Sequence, residues 1–179
     1  PGVEQFYHRA YAETRAAKPH MVFVSKTSQR EFHARYGTDF PSSTVIYIPT
    51  RPGMDAGEER QPQGIDGPFL LTVGSIGDRK NQRRCIEAFA ESGLADEGWS
   101  YVLIGGRESG AEAAVDLGAR TPGVVMPGYA DDAELRWLYR HSGGFVLMSL
   151  LEGFGMPVIE AAGYGLPCLV SESGILTEI

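Results

Sequence analysis

Two glutamates bracket a glycine-rich turn near the C-terminal end of the sequence, in the stretch SLLEGFGMPVIEAAGYG of residues 149–165. Glu152 precedes the turn. Glu160 is predicted in the first turn of the following helix, where interaction with the helix dipole is a common alternative explanation, although ligand contact is favoured for the pair. Carboxylates accept hydrogen bonds from paired hydroxyl groups, and amides at a helix N-terminus attract anions. The turn is therefore a candidate site for an anionic or hydroxyl-rich ligand.

A second candidate is the loop GSIGDRKN of residues 74–81, which carries two adjacent cations, Arg79 and Lys80. Small residues at its start let a ligand approach the backbone, and an arginine or lysine beside them is what a diphosphate requires in an acidic protein. The loop lacks the GK[ST] ending of a phosphate-binding P-loop. A polar loop with two solvated cations explains the same residues equally well.

The glycine turn also comes close to the dinucleotide-binding pattern GxGxxG, because Gly153 and Gly155 occupy the first two glycine positions. Val158 replaces the third glycine, which normally permits close packing of the helix on the sheet. The turn also follows the fourth strand after residue 68 and not the first. Both differences disfavour a nicotinamide-dependent oxidoreductase.

The elements around these residues alternate regularly after residue 68. Four apolar runs predict strands that end at Gly74, Gly105, Gly128 and Ser149, with helices between them and a last strand at residues 168–170. Nearly continuous apolar strands that alternate with helices predict an α/β fold, a parallel sheet with helices on both faces. Ligands bind beyond the carboxyl ends of such strands, so the loops are expected to line one crevice.

Two shorter parts precede this region. Residues 1–49 predict two helices and two strands, the second helix opening with a capping box from Ser28 to Glu31. Residues 50–68 are rich in proline and glycine without apolar periodicity, which predicts a linker. A further helix is expected to begin near Gly174, and the chain is expected to be a piece of a longer protein.

Composition and charge argue against several classes of function. The 179-residue chain has a formal net charge of −7, whereas a general nucleic-acid-binding protein would carry a basic field. No run approaches the roughly 18 apolar residues of a membrane span, and no signal-peptide pattern is present. Cys85 and Cys168 have no partner at metal-ligand spacing and are expected to be reduced thiols of a cytoplasmic protein.

The stretch SLLEGFGMPVIEAAGYGLP closely resembles the signature of the retaining GT-B glycosyltransferases of family 4, the glycosyl transferases group 1. The loop VGSIGDRKN resembles the first strand and turn of the C-terminal domain of that family, and the segments VLIGG and MPGYADDAELRWLYRHS fit between the two. The resemblance covers residues 69–179. It is weaker over residues 1–49, where HMVFVSKTSQREFHARYG is similar to the last strand-helix unit of the family's N-terminal domain.

The resemblance implies a division of the chain. Residues 1–49 would be the tail of the N-terminal, acceptor-side domain, and residues 50–68 would be the linker. Residues 69–179 would form a truncated Rossmann-like domain that binds a nucleotide-sugar, the C-terminal domain of the GT-B fold.

The resemblance also implies a role for each candidate residue. Arg79 and Lys80 would contact the donor diphosphate and stabilise the leaving group, in place of a divalent metal. Glu152, counted with them as catalytic, would bind the hydroxyls of the donor sugar, and Glu160 would bind those of the ribose. The other donor-binding residues implied are Gly74, Ser75, Gly153, Phe154, Gly155 and Met156. Neither a metal site nor a cofactor is implied.

The implied reaction is retaining transfer of a hexosyl group from GDP-mannose, or from a UDP- or dTDP-sugar, to a saccharide or lipid-linked acceptor in polysaccharide biosynthesis. No nucleic-acid partner is expected. The location implied for the full-length enzyme is cytoplasmic, with peripheral association at the inner face of the membrane as an alternative. Because most of the acceptor-side domain is missing from the sequence, the alternative function is a sugar-nucleotide-binding module without transfer activity by itself.

Overall fold

The chain folds into two compact units in a computed structural model that describes residues 2–51, 53–54 and 56–179. One unit comprises residues 1–49 with Glu178, and the other comprises residues 50–177 with Ile179. Pro1 of the first predicted helix, and Pro52 and Asp55 of the predicted linker, lie outside the described residues.

The N-terminal unit pairs two short parallel strands with two helices. Its elements are α1 (Gly2–Ala17), β1 (Met21–Phe23), α2 (Lys26–Tyr36) and β2 (Ser43–Val45). The strands align Met21 with Ser43. An aromatic cluster joins the two helices, since the ring of Tyr11 lies 5.5 Å from that of Phe32 and 4.8 Å from that of Tyr36.

Helix α2 begins one turn earlier than the predicted capping box, which is therefore wrong. The N-cap is Ser25, which has extended backbone angles and whose side chain accepts a hydrogen bond from the backbone N–H of Ser28 at 2.9 Å. Ser28 thus lies inside the first turn. Both serines suit a cap, but only the hydroxyl of Ser25 precedes the free amides that a cap must satisfy. Gly37 ends the helix at φ +82°, as its position in the sequence predicts.

The C-terminal unit is a five-stranded parallel sheet with helices on both faces, which confirms the predicted α/β class. Its strands are β3 (Phe69–Val73), β4 (Ser100–Ile104), β5 (Val124–Gly128), β6 (Gly144–Leu147) and β7 (Cys168–Val170). Its helices are α3 (Gln82–Ser92), α4 (Glu112–Arg120), α5 (Asp132–His141) and α6 (Met156–Gly163), with a 3-10 turn at Asp78–Lys80.

The strand order β5-β4-β3-β6-β7 creates a topological switch point between β3 and β6, where the strand order reverses direction. The chain leaves β3 towards β4 and β5 and then returns to β6 on the other side of β3. Right-handed crossovers carry the helices of the two halves to opposite faces. The loops after β3 and β6 therefore leave adjacent strands at the edge where ligands bind in such sheets.

Buried apolar residues on each face of the sheet hold the helices in position. On one face, Ile86 and Phe89 of α3 pack in a cluster with Tyr101 and Leu103 of β4. On the other face, the ring of Tyr139 in α5 lies 6.1 Å from that of Phe145 in β6. All four residues of β6 are buried, as expected for a central strand that is covered on both sides.

Two predictions of helix ends can be compared with the structure. Asp131 caps α5, as expected, in a capping box with Glu134. Backbone hydrogen bonds from Glu134 and a hydrogen bond from Arg60 lower the pKa of Asp131. The helix predicted near Gly174 is wrong, because residues 174–178 form turns. The carbonyl of Ser173 accepts hydrogen bonds from both Leu176 and Thr177, so this segment makes only a tight turn.

The described residues of the segment 50–68 pack within the C-terminal unit although they lack regular secondary structure. Ile65 is 1% exposed, and Met54 and Pro62 are also buried. The backbone N–H of Arg60 donates to the carbonyl of Ala133 at 3.1 Å. Isolated apolar anchors of this kind, without a period of 2 or 3.6 residues, give no secondary-structure signal in the sequence.

The ends of β3 and β4 approach so closely that one of them must be glycine. Gly105 has φ +148°, and a Cβ added there would lie 2.1 Å from the carbonyl oxygen of Gly74. The backbone has little freedom to move, because the N–H of Gly105 donates to Gly128 and that of Gly74 donates to Ile104, both at 2.8 Å.

We expect Gly105→Ala to lower the free energy of unfolding by at least about 2 kcal/mol, since backbone strain and overpacking each cost on the order of 1–3 kcal/mol. Urea denaturation measures the change. Gly106→Ala is the matched control, because nothing lies within 4 Å of a Cβ at that position. Equal stability of the two variants would contradict the close approach seen here.

Candidate functional site

The cationic loop after β3 is held in shape by a buried glutamine at the start of α3. Gln82 is 2% exposed, and its side-chain carbonyl accepts the N–H of Gly77 at 3.1 Å. Its amide donates to the carbonyl of Ser75 at 2.8 Å. These two bonds close the loop that carries Arg79 and Lys80 into a fixed turn. Sequence reasoning did not select Gln82, although a polar residue at a helix start beside a candidate loop was a usable signal.

Lys80 and Glu152 form a buried ion pair between the loops after β3 and β6. The Lys80 Nζ lies 2.6 Å from the Glu152 Oε1, and the two side chains are 9% and 6% exposed. Arg79 lies on the rim, where its Nη1 donates to the carbonyl of Leu151 at 2.9 Å and lies 3.4 Å from the Glu152 Oε2. The structure thus brings together the three residues predicted to be catalytic.

Further hydrogen bonds tie the loop after β6 to the loop after β3. The hydroxyl of Ser149, which is 1% exposed, donates to the Glu152 Oε1 at 2.6 Å. The Asn81 side chain donates to the carbonyl of Met148 at 3.1 Å, and the N–H of Leu150 donates to the carbonyl of Arg79 at 2.9 Å. Ser149 and Asn81 were not predicted as site residues, although both stand beside residues that were.

The glycine turn leads into α6 through Gly155, its N-cap, at φ +93°. A Cβ there would lie 2.7 Å from the Leu176 Cδ2, so both conformation and space favour glycine. Gly153 is exposed, Phe154 is 5% exposed and Met156 is half-buried. The buried ring of Phe154 anchors the turn, which leaves its backbone as the part that a ligand can contact.

Glu160 lies deeper in α6 than predicted, as the fifth helical residue and not in the first turn. The interpretation that it stabilises the helix start is therefore wrong. Its side chain is 6% exposed, and each carboxylate oxygen has a partner. The Arg51 Nε donates to Oε1 at 3.0 Å, and the Tyr139 hydroxyl donates to Oε2 at 2.9 Å. Burial, and next the charge of Glu160, raise the pKa of Tyr139 well above its ordinary value, so this hydroxyl remains a donor.

Gly74 and Ser75 begin the cationic loop. A Cβ on Gly74, which has φ +142°, would lie 3.8 Å from the Lys80 Nζ, so this glycine faces the lysine. The Ser75 hydroxyl donates to the carboxylate of Glu108, and the N–H of Glu108 donates to the carbonyl of Ile76 at 2.8 Å. The loop after β4 thus supports the loop after β3.

The cysteines and histidines do not form a second site in the part of the chain described. No group of three or more His, Cys, Asp or Glu residues among residues 2–51, 53–54 and 56–179 could hold a metal ion. Burial raises the pKa of the Cys85 thiol, which is therefore a poor nucleophile at neutral pH. A cavity of about 530 Å³ lies beside Cys85 between α3 and the sheet, lined by apolar residues such as Leu70 and Met148. This cavity does not include the ion pair.

The arrangement suits a ligand that carries both anionic and hydroxyl groups. Arg79 and Lys80 supply two positive charges at the switch point of a chain whose net charge is −7. Glu152 and Glu160 supply carboxylates that can accept paired hydroxyls. Nucleotides with sugar groups attached have this combination of groups.

Comparisons with known proteins agree on one family. A family model described as "Glycosyl transferases group 1" matches residues 55–179. O-antigen chain mannosyltransferase B of Escherichia coli is 30% identical over 138 residues, which cover 74% of this chain and 36% of that protein. Mannosylfructose-phosphate synthase of Agrobacterium fabrum (strain C58) is 31% identical over 128 residues, 64% of this chain and 28% of that protein. The chain thus spans well under half the length of these curated relatives.

Solved structures share the fold at low sequence identity. The glycosyltransferase from Rickettsia africae ESF-5 has a TM-score of 0.74 at 16% identity and covers 92% of this chain and 48% of its own. Sucrose-phosphate synthase from Thermosynechococcus elongatus has a TM-score of 0.70 at 20% identity and covers 93% and 45%. The pneumococcal O-GlcNAc transferase GtfA, in complex with UDP and GlcNAc, has a TM-score of 0.65 at 19% identity and covers 88% and 31%. These likenesses show the Rossmann-like fold alone.

The buried pair predicts a specific pattern of stability. We expect Lys80→Met to lower the free energy of unfolding by about 3 kcal/mol, because it leaves a buried carboxylate without its main partner. The double variant Lys80→Met/Glu152→Gln removes both charges and is expected to recover most of this loss in denaturant titrations.

Arg83→Met is the matched control for this prediction, because Arg83 pairs with Glu87 on the exposed surface of α3. Its effect is expected to be about 0.5 kcal/mol or less. If the double variant were as unstable as Lys80→Met, the pairing of the two charges would not explain the loss.

Proposed function

Because this chain belongs to the glycosyl transferases group 1 family, which confirms the resemblance of its signature, we propose that it binds the nucleotide-sugar donor of a hexosyl transfer reaction. The observation that carries the proposal is the Lys80–Glu152 pair at 2.6 Å, which joins a cation suited to phosphate to a carboxylate suited to hydroxyl groups. The pair lies after two adjacent strands, β3 and β6, where ligands bind in parallel sheets.

The donor diphosphate would bind at Arg79 and Lys80. Arg79 is 41% exposed, so its guanidinium can turn from the carbonyl of Leu151 towards a phosphate. Lys80 is less mobile because it is buried, and it would contact phosphate oxygens while it stays near Glu152. The backbone of Gly74 and Ser75 offers the close approach that the phosphates need, and the amides of the glycine turn add donors at the N-terminus of α6.

The carboxylates would bind the hydroxyls on either side of the diphosphate. Glu152 is oriented by Ser149 and Lys80, both of which contact its Oε1 at 2.6 Å. Its Oε2 is therefore the oxygen with more capacity to accept hydroxyls of the donor sugar. Glu160 would accept the ribose hydroxyls, on the same reasoning about carboxylate lone pairs.

In the proposed reaction, the bond between the anomeric carbon and the diphosphate oxygen breaks, and a bond between that carbon and an acceptor oxygen forms. The acceptor proton passes to an oxygen of the departing diphosphate as the acceptor oxygen attacks, and the anomeric configuration is retained. Arg79 and Lys80 would stabilise the negative charge that develops on the departing diphosphate. Two such cations can supply this stabilisation without a divalent metal, which is the form of the reaction that we propose.

We further propose a mannosyl group as the transferred hexose and a saccharide or lipid-linked acceptor for the whole protein. The names of the relatives support this choice, because O-antigen chain mannosyltransferase B and the serotype-specific mannosyltransferase WbdA of Escherichia coli both match the chain. No helix in the described residues is long and apolar enough to cross a membrane. Peripheral association with the inner face of a membrane remains part of the proposal for the whole protein.

Isothermal titration of the 179-residue chain with GDP, UDP, ADP and dTDP tests donor binding. We expect at least one of them to bind in the presence of EDTA. Lys80→Ala should weaken binding by about tenfold or more, since a charge-assisted hydrogen bond contributes about 1.5–3 kcal/mol and about 1.4 kcal/mol corresponds to tenfold.

Arg83→Ala is the control in these titrations, because it removes a nearby positive charge that pairs with Glu87 and not with Glu152. An unchanged affinity after Lys80→Ala, or no binding even at millimolar nucleotide, would refute donor binding at this site. A strict requirement for Mg²⁺ would refute the metal-independent form.

Transfer itself is tested with a longer protein that contains this chain, a sugar nucleotide and a saccharide acceptor. We expect a glycosylated product with the donor's anomeric configuration, identified by the NMR coupling of the anomeric proton. Donor binding without any product would favour the second candidate, a sugar-nucleotide-binding module. That candidate is considered because the chain matches only 36% of its mannosyltransferase relative.

A further inference from the structure

Arg51 provides a contact to Glu160 that no sequence pattern indicates. Its Nε donates to the Glu160 Oε1 at 3.0 Å, and its Nη1 lies 3.5 Å from the Asp132 Oδ1 at the start of α5. The Arg51 side chain is 47% exposed, whereas the Glu160 side chain is 6% exposed. Arg51 therefore lies between solvent and a buried carboxylate on α6.

The two hydrogen bonds to Glu160 leave part of its acceptor capacity unused. An ionised carboxylate has about four lone-pair sites on its two oxygens. The Arg51 Nε occupies one site on Oε1, and the Tyr139 hydroxyl occupies one on Oε2. One site on each oxygen remains, and a pair of neighbouring hydroxyls can donate to two such sites together.

Arg51 also places a positive charge beside the nearly buried carboxylate of Glu160. A nearly buried carboxylate without a cationic partner is costly, so it needs a neighbouring positive charge to accept hydrogen bonds at full strength. Among the residues that the structure describes, Arg51 and Tyr139 face Glu160, with Asp132 beyond the arginine and Tyr164 stacked on Tyr139 at 5.3 Å. Arg51 is the one cation among these groups.

We propose that Arg51 is a positioning residue for nucleotide recognition, which compensates the charge of Glu160 and orients its carboxylate with two acceptor sites for the ribose diol. This inference rests on the proposed function, in which Glu160 binds ribose. Arg51 acts through Glu160 and need not contact the ligand. It therefore contributes to the affinity for ribonucleotides and not to the affinity for their phosphates.

The test measures three ligands by titration calorimetry on the full chain. They are whichever of GDP, UDP and ADP binds most tightly, its 2′,3′-dideoxy counterpart, and inorganic pyrophosphate. Arg51→Gln, which keeps an N–H donor and removes the charge, should weaken the ribonucleotide by about tenfold, the effect of about 1.4 kcal/mol. It should leave the affinities for the dideoxynucleotide and pyrophosphate unchanged.

Two further variants separate the charge effect from a structural one. Arg51→Lys keeps the positive charge and should give a ribonucleotide affinity between those of the parent chain and Arg51→Gln. Arg60→Gln is the matched control, because Arg60 lies in the same segment and pairs with Asp131 and Glu134 on α5, away from Glu160. It should leave all three affinities unchanged.

Three results would overturn the inference. Equal losses for all three ligands would indicate a general structural role, and tighter ribonucleotide binding by Arg51→Gln would indicate that Arg51 competes with ribose. An unchanged ribonucleotide affinity would show that Glu160 does not need this partner. If the parent chain bound no nucleotide at all, both the proposed function and this inference would be refuted. That outcome is distinct from the other three.

Discussion

The buried ion pair between Lys80 and Glu152 is the interaction on which the site depends. It joins loops that leave neighbouring strands of the sheet but are separated by 72 positions in the chain. Neither group can be buried alone without a large desolvation penalty, so each requires the other when no ligand is bound. The pair thus keeps a cation and a carboxylate buried at the ends of β3 and β6. Electrostatic interactions with a ligand are stronger there than in bulk water.

The sheet topology explains why this corner can exist in an acidic chain. Because β3 is paired with β4 on one side and β6 on the other, its following loop has a neighbour that comes from a distant part of the sequence. The close approach of Gly74 and Gly105, and the two hydrogen bonds of Gln82, then fix the loop that bears the cations. The two cations are a local feature of a chain whose total net charge is −7.

The sequence predicted the structure best where an apolar strand pattern is followed directly by residues that can bind a ligand. The strands from β3 to β6 are apolar runs followed by small residues, so their positions along the chain and the loops after them were predictable. Their order within the sheet was not predicted. Arg79, Lys80 and Glu152 were selected because they stand at such ends. The Arg51–Glu160 contact was not predictable, because its partners are 109 positions apart and the segment of Arg51 has no periodic pattern. The cap of α2 was misplaced because Ser25 and Ser28 have the same local propensity, and only tertiary structure distinguishes them.

The packing of residues 50–68 on α5 and α6 has a consequence for biosynthesis. Arg60 and its partner Asp131 are 71 positions apart, and Arg51 and Glu160 are 109 apart, so these contacts have high contact order. During translation at about 5–20 residues per second, the segment leaves the ribosome on the order of 10 s before the last of these partners is made. Over that interval Arg51 has no Glu160 to pair with, so the segment can reach its final packing only after α6 has been synthesised.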